Sequence, residues 1–194
     1  KMRKFKSHFI KNSISMLVIV ITLLIGIYII TQYENKTGNN INIGGSFELI
    51  NQNGELYLSE LRSKKKVLYF GYTFCPDVCP IDILQISRLV DQNPDLIKNF
   101  DFIFITVDPE RDNQSQMKNF MSNFNENLIG LTGETKVIDN VLSKYRIYVK
   151  RNKKGNDNYL VDHSSLIFLI NEKDEYVTHF SPKDFEDKFP NYIY

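Results

Sequence analysis

The alternation of apolar and polar positions divides the chain into an N-terminal appendage and a regularly patterned body. Residues 14–30, ISMLVIVITLLIGIYII, carry no charge and are almost wholly apolar. As a helix they would span roughly 26 Å, the short end of what crosses a bilayer. Basic residues stand ahead of the run, and no small-residue cleavage signature follows it. That favours an uncleaved anchor over a signal peptide or a buried core helix. Residues 31–43 are polar, Asn-rich and without periodicity, as a linker from membrane to domain would be.

From residue 44 onward the signals become regular. FELINQNGELYL (residues 47–58) sets two short apolar-rich runs around Asn53-Gly54, which predicts a β-hairpin. VLYFGY (67–72) and FDFIFITV (100–107) are continuous apolar runs of the kind found in strands buried on both faces. Between them, IDILQISRLVDQNP presents a mostly apolar helical face that ends near Pro94. Strand, helix and strand at this spacing make a βαβ unit with parallel pairing. Further helices are expected over 113–124 and 134–145. Residues 164–180 hold two runs bounded by a polar turn, a closing antiparallel hairpin. Ser181 and Pro182 then suit the N-cap and first position of a short last helix. This order predicts a thioredoxin-like α/β sandwich with an N-terminal β-hairpin, preceded by one transmembrane helix. The division is a basic tail (1–13), an anchor (14–30), a linker (31–43) and a domain (44–194).

Composition agrees with a real core: 42% of residues are hydrophobic and 24% charged. The net charge of +1 hides an asymmetry, because residues 1–13 carry five cations and no acid, leaving the rest acidic. An acidic body without a basic stripe excludes nucleic-acid binding by the main domain, and reads its 14 Phe and 11 Tyr as core. The positive tail holds the N-terminus on the cytoplasmic or matrix side of an inner membrane. The single-pass protein then faces the periplasm or intermembrane space. KRNKKGNDN (150–158) is a plain polar insertion with no functional signal.

YTFCPDVCP (72–80) contains both cysteines of the chain, four positions apart. A thiol at a helix N-terminus has its pKa lowered by the macrodipole and unpaired N–H groups. Both cysteines sit where a strand gives way to a helix, so both are expected to be thiolate-prone. On one helical turn their Cβ atoms would lie about 5–6 Å apart. Two metal–sulfur bonds of about 2.3 Å close that gap, and a disulfide also fits. Geometry alone therefore leaves a metal clamp, a redox pair and a structural staple open, although a staple over so few residues gains little entropy. Pro76 and Pro80 stiffen the loop, and a thiolate pair selects soft metals, chiefly Cu(I) and Zn. Of the three histidines, His8 lies in the tail across the membrane and His179 reads as a surface or edge residue. His163, in a loop at a strand mouth, is either a third ligand or a satisfied loop histidine.

GYTFCPDVCP, TVDPERD (106–112) and VDHSSLIFLI (161–170), with GGSFELINQNG (44–54), together resemble the Sco/SenC family of copper-binding proteins, which help assemble cytochrome c oxidase. The resemblance runs from about residue 44 to 189. It implies a thioredoxin-like domain that binds one copper, Cu(I) or Cu(II), through Cys75, Cys79 and His163. Cu(II) would want a further weak ligand. Asp77 and Asp162 are candidates for it or for supporting hydrogen bonds, against the plainer readings of a helix-start acid and a turn residue. The implied function is a membrane-anchored copper chaperone and not an enzyme. Its partners would be the copper-bearing subunit of the oxidase, another copper carrier and the membrane. The alternative is a thiol–disulfide reductase that keeps the oxidase cysteines reduced, with Cys75 and Cys79 as its redox pair. A peroxiredoxin-like enzyme is weaker, because no peroxide-activating motif is visible. DPERD is expected to shape a loop in which Arg111 and Asp112 pair locally, and the family likeness makes that loop a candidate partner surface.

Overall fold

Two apolar runs form the middle of the main sheet, because strands buried on both faces need no polar side. The computed structural model describes residues 16, 20–28, 43–153 and 159–193. Residues 16 and 20–28 are helical. Among the described residues, no helix is long and apolar enough to cross a membrane. The expected anchor at 14–30 falls partly outside the described residues. The basic tail with His8 and the linker as far as residue 42 lie outside them altogether.

Residues Asn42–Tyr194 form one compact unit. Its strands are β1 (Glu48–Asn51), β2 (Leu56–Leu58), β3 (Lys65–Gly71), β4 (Phe100–Thr106), β5 (Leu128–Thr132), β6 (Val149–Arg151), β7 (Val161–His163), β8 (Ile167–Ile170) and β9 (Tyr176–Phe180). Helices α1 (Val78–Gln92), α2 (Gln114–Met121), α3 (Thr135–Lys144) and α4 (Pro182–Lys188) complete the fold. Seven strands make one sheet in the order β2-β1-β5-β4-β3-β8-β9, and β6 and β7 form a separate antiparallel pair. β3, β4 and β5 are parallel neighbours, joined through α1 and α2, whereas β8 runs antiparallel to β3.

Alternation along the central strands distributes aromatic side chains to both faces. Phe100 and Phe102 meet Phe189, at ring separations of 5.3 and 6.2 Å. Phe104 meets Phe120, at 5.2 Å. On the opposite face Phe70 packs 5.5 Å from Tyr145, next to α3. Each such ring contributes about 1.5–3 kcal/mol by leaving water.

The expected α/β sandwich with an opening hairpin is present, and its differences from expectation are local. α1 begins at Val78, three residues early, so Cys79 lies inside the helix and Cys75 outside it. β5 escaped notice because LIGLT is short and interrupted by Gly130. A Cβ there would come within 2.5 Å of the Met121 side chain, so the glycine lets α2 pack directly on the strand. β6 and β7 escaped because VKR runs into a polar stretch and VDH is mostly polar. Lys66, one of three lysines ahead of the apolar run, is fully buried and bonds the Asp174 carboxylate at 2.6 Å. Ser59 Oγ donates to the other oxygen of Asp174 at 2.7 Å, tying the residues after β2 to the β8–β9 turn.

Candidate metal centre

The site lies at the C-terminal ends of the parallel strands, where loops leave an open α/β sheet. β3 ends at Gly71, and a Cβ on that residue would sit 3.1 Å from Cys79 Sγ and 2.9 Å from the Phe104 ring. Glycine therefore clears the space that the thiol occupies. The chain then turns, with Cys75 N–H donating to the Tyr72 carbonyl at 3.2 Å, and enters α1. Cys75 is half-buried and Cys79 wholly buried, and both are free thiols. The Cys79 amide points at Cys75 Sγ, 3.5 Å away, so the start of the helix turns a backbone donor onto sulfur.

Helix position does not make both sulfurs thiolate-prone. Burial pushes the Cys79 thiol well up from its ordinary range and outweighs the opposing pull of the Tyr72 backbone. Without a metal Cys79 is a protonated thiol.

β7 delivers His163 as its last residue, paired with Val149 of β6, and not in a loop. Its Nε2 stands 3.4 Å from Cys79 Sγ. Its Nδ1 lies 3.0 Å from the Ser164 carbonyl oxygen, which can only accept, so Nδ1 carries the proton. Burial also pulls the imidazole pKa below its usual value, which keeps the ring neutral. The bare Nε2 lone pair is thus aimed at sulfur. Tyr72 packs edge-on to this ring at 5.9 Å and accepts the Val161 amide at 3.4 Å. Among the described residues, no three His, Cys, Asp or Glu side chains are drawn into a closed metal cage. The close contact is the pair Cys79–His163, with Cys75 one turn outward.

Asp77 is exposed at the helix N-cap and makes no capping bond. Asp162 is a strand residue, not a turn residue. It alternates away from His163 and accepts a 3.0 Å bond from Asn152. His179 is an exposed strand residue bonded to Tyr176. Arg111 pairs with Asp108 at 2.5 Å, not with Asp112. Asp112 instead accepts Thr73 N–H, Thr73 Oγ1 and Thr106 Oγ1, at 3.0, 2.6 and 2.6 Å. Burial pushes its carboxyl up against the pull of those bonds.

Two supporting groups had no clear sequence signal. Asp82, one turn after Cys79, accepts from Tyr69 Oη at 2.8 Å and from Ser165 Oγ at 2.9 Å. It joins the cysteine helix to the segment after His163. Tyr159 Oη donates to Asp108 at 2.6 Å from the far side of the polar insertion. Both are polar atoms whose partners come from other elements, which no local pattern shows.

The SCO1/SenC family model matches residues 35–192. The chain belongs to the SCO1/SenC family. A SCO2-like protein of Rickettsia prowazekii is 36% identical to it over 209 aligned positions, covering 93% of this chain and 98% of that one. The mitochondrial SCO1 homolog 1 of Arabidopsis thaliana is 34% identical over 150, covering 74% of this chain and 44% of that one. The solved structure of Bradyrhizobium japonicum ScoI with copper bound superposes with a TM-score of 0.69 at 36% identity. It covers 77% of this chain and 99% of ScoI. The SCO1/SenC domain is thus a thioredoxin-like α/β fold, and its cysteine loop and β7 histidine meet at one end of the sheet.

Proposed function

We propose that this protein is a membrane-anchored copper chaperone of cytochrome c oxidase assembly. Its cargo is one copper ion held by Cys75, Cys79 and His163. The observation that carries this reading is the 3.4 Å approach of the unprotonated His163 Nε2 to Cys79 Sγ, beside a second thiol. The donor chemistry fits: two thiolates and an imidazole suit Cu(I). Family membership and the copper-bound ScoI relative support the same choice. Copper would enter from the side of half-buried Cys75 and displace the Cys79 proton on binding. Phe74, Val78 and Ile81 are 46%, 46% and 61% exposed around the cysteine loop. That apolar rim supports docking of the oxidase's copper-bearing subunit, or of another copper carrier, over the open side. Residues 14–30 and the basic tail support an inner-membrane anchor, with the domain in the periplasm or intermembrane space.

Titration with Cu(I) should load one equivalent on the parent and none stoichiometrically on Cys75→Ser, Cys79→Ser or His163→Ala. Parent-like affinity in His163→Ala would sink the three-ligand reading. The neighbouring free thiols, one of them accessible, favour a second role as thiol–disulfide reductase in the metal-free state. That role needs the cysteines and not His163. A dithiol that fails to reduce a disulfide peptide carrying the oxidase cysteines rules it out.

A further inference from the structure

The DPERD loop contacts both halves of the site, and it does so through different side chains. Asp112 is wholly buried and holds the cysteine loop by its grip on Thr73, two residues before Cys75. Its other tie, to Thr106, anchors it on the end of β4. Asp108, also wholly buried, holds the β6–β7 hairpin by accepting from Tyr159 Oη, four residues before His163. Its backbone N–H donates to Thr106 Oγ1 at 2.9 Å, so both aspartates are tied to the same threonine, Asp112 by its carboxylate and Asp108 by its backbone. The guanidinium of Arg111 lies 3.6 Å from the Tyr159 ring centre and 5.0 Å from that of Phe74, between hairpin and cysteine loop. Arg151 of β6 donates twice to the Val107 carbonyl, at 3.1 and 2.8 Å, and Lys153 pairs with Glu110.

We propose that Asp108 and Asp112 are positioning residues, which set the separation of the two thiols from the imidazole by clamping Tyr159 and Thr73 to the end of β4. This rests on the ligand set proposed above. Neither carboxylate reaches the site. Asp108 holds the Tyr159 hydroxyl, and Asp112 holds both the hydroxyl and the backbone N–H of Thr73, so an almost isosteric change at the partner removes the first clamp and halves the second: Tyr159→Phe for Asp108, Thr73→Val for Asp112.

The test compares Cu(I) affinity, by competition with a Cu(I) chelator, and amide hydrogen exchange of the copper-free protein. Outer partners that orient metal ligands are worth about 10–100-fold in affinity. Each variant should therefore lose about 10-fold or more, whereas Thr73→Ser, which keeps the hydroxyl, should retain parent affinity. Exchange should quicken around residues 159–164 in Tyr159→Phe and around 73–79 in Thr73→Val. Tyr57→Phe is the matched control. It removes an equally buried hydroxyl from Asp101, at 3.0 Å, at the other end of β4 and about 17 Å from Thr106 along the strand. Its copper affinity should stay within twofold of the parent. Unchanged affinity in both clamp variants while His163→Ala loses copper overturns the clamp and leaves the ligand set standing. An equal loss in Tyr57→Phe also overturns it, because the effect is then general destabilisation. Parent-like binding by His163→Ala overturns the ligand set itself, and with it the role assigned to both carboxylates.

Discussion

His163 Nε2 stands 3.4 Å from Cys79 Sγ, although the two residues are 84 positions apart. The contact joins a buried protonated thiol to a neutral imidazole whose other nitrogen is held by a backbone carbonyl. Metal binding here must expel a proton from Cys79, because the thiolate and not the thiol is the ligand. Calorimetric heats of Cu(I) loading at neutral pH should therefore depend on the ionisation enthalpy of the buffer. A buffer-independent heat would contradict a protonated Cys79.

Gly71 should not tolerate a side chain. A Cβ would press on Cys79 Sγ at 3.1 Å and on the Phe104 and Tyr69 rings at 2.9 and 3.0 Å. Gly71→Ala is expected to lose about 1–3 kcal/mol of stability through overpacking, together with at least part of its copper affinity. Urea unfolding and Cu(I) competition measure the two losses. A variant as stable and as tight-binding as the parent would show that the thiol has room to move.

The Lys66–Asp174 pair is buried at both ends, with side chains 0% and 2% exposed. Lys66→Met should cost about 3–5 kcal/mol, since it leaves an uncompensated carboxylate inside. Adding Asp174→Asn removes that charge, and asparagine tolerates the positive φ of 61° at this position. The double variant should recover much of the loss in a urea melt. If it is no more stable than Lys66→Met, the unpaired charge is not what destabilises the single variant.

Asp101 is expected to shape the acid limb of stability. Burial works against its charged form, but the hydrogen bond and charge of Arg62, with Tyr57 and Lys64, hold its carboxyl below the ordinary aspartate range. A carboxyl with a lowered folded pKa stabilises above its unfolded value, about 3.9. That contribution disappears as pH falls through the folded value. Stability of the parent should drop below about pH 4, and Arg62→Ala should flatten that part of the curve. Parallel curves for the two proteins would remove Asp101 from the account.

Much of the architecture was legible in the chain because it is local. Continuous apolar runs marked β3 and β4, the Asn53-Gly54 turn marked the opening hairpin, and Asn113 marked the start of α2, where its side chain accepts the Gln116 amide at 3.0 Å. The motifs around Cys75, Cys79 and His163 carried the family resemblance. β5, β6 and β7 were not legible, since LIGLT is broken by Gly130, VKR runs into a polar stretch, VDH is mostly polar, and none is flanked by a turn signal like that between β1 and β2.

What the sequence determined by itself is the longer elements and the two hairpins, the pairing of β3 and β4 through a helix, and the residue types available at the site. Only the tertiary structure decided how those residues meet. It placed Cys75 outside the helix and Cys79 inside it, turned Asp162 away from His163, gave Arg111 to Asp108, and buried Lys66 against Asp174. Each outcome depends on strand order and on which end of the sheet a loop leaves. Periodicity reports which face of an element is apolar. Burial, and with it the protonation of Cys79 and the aim of His163, depends on what another part of the chain lays over that face.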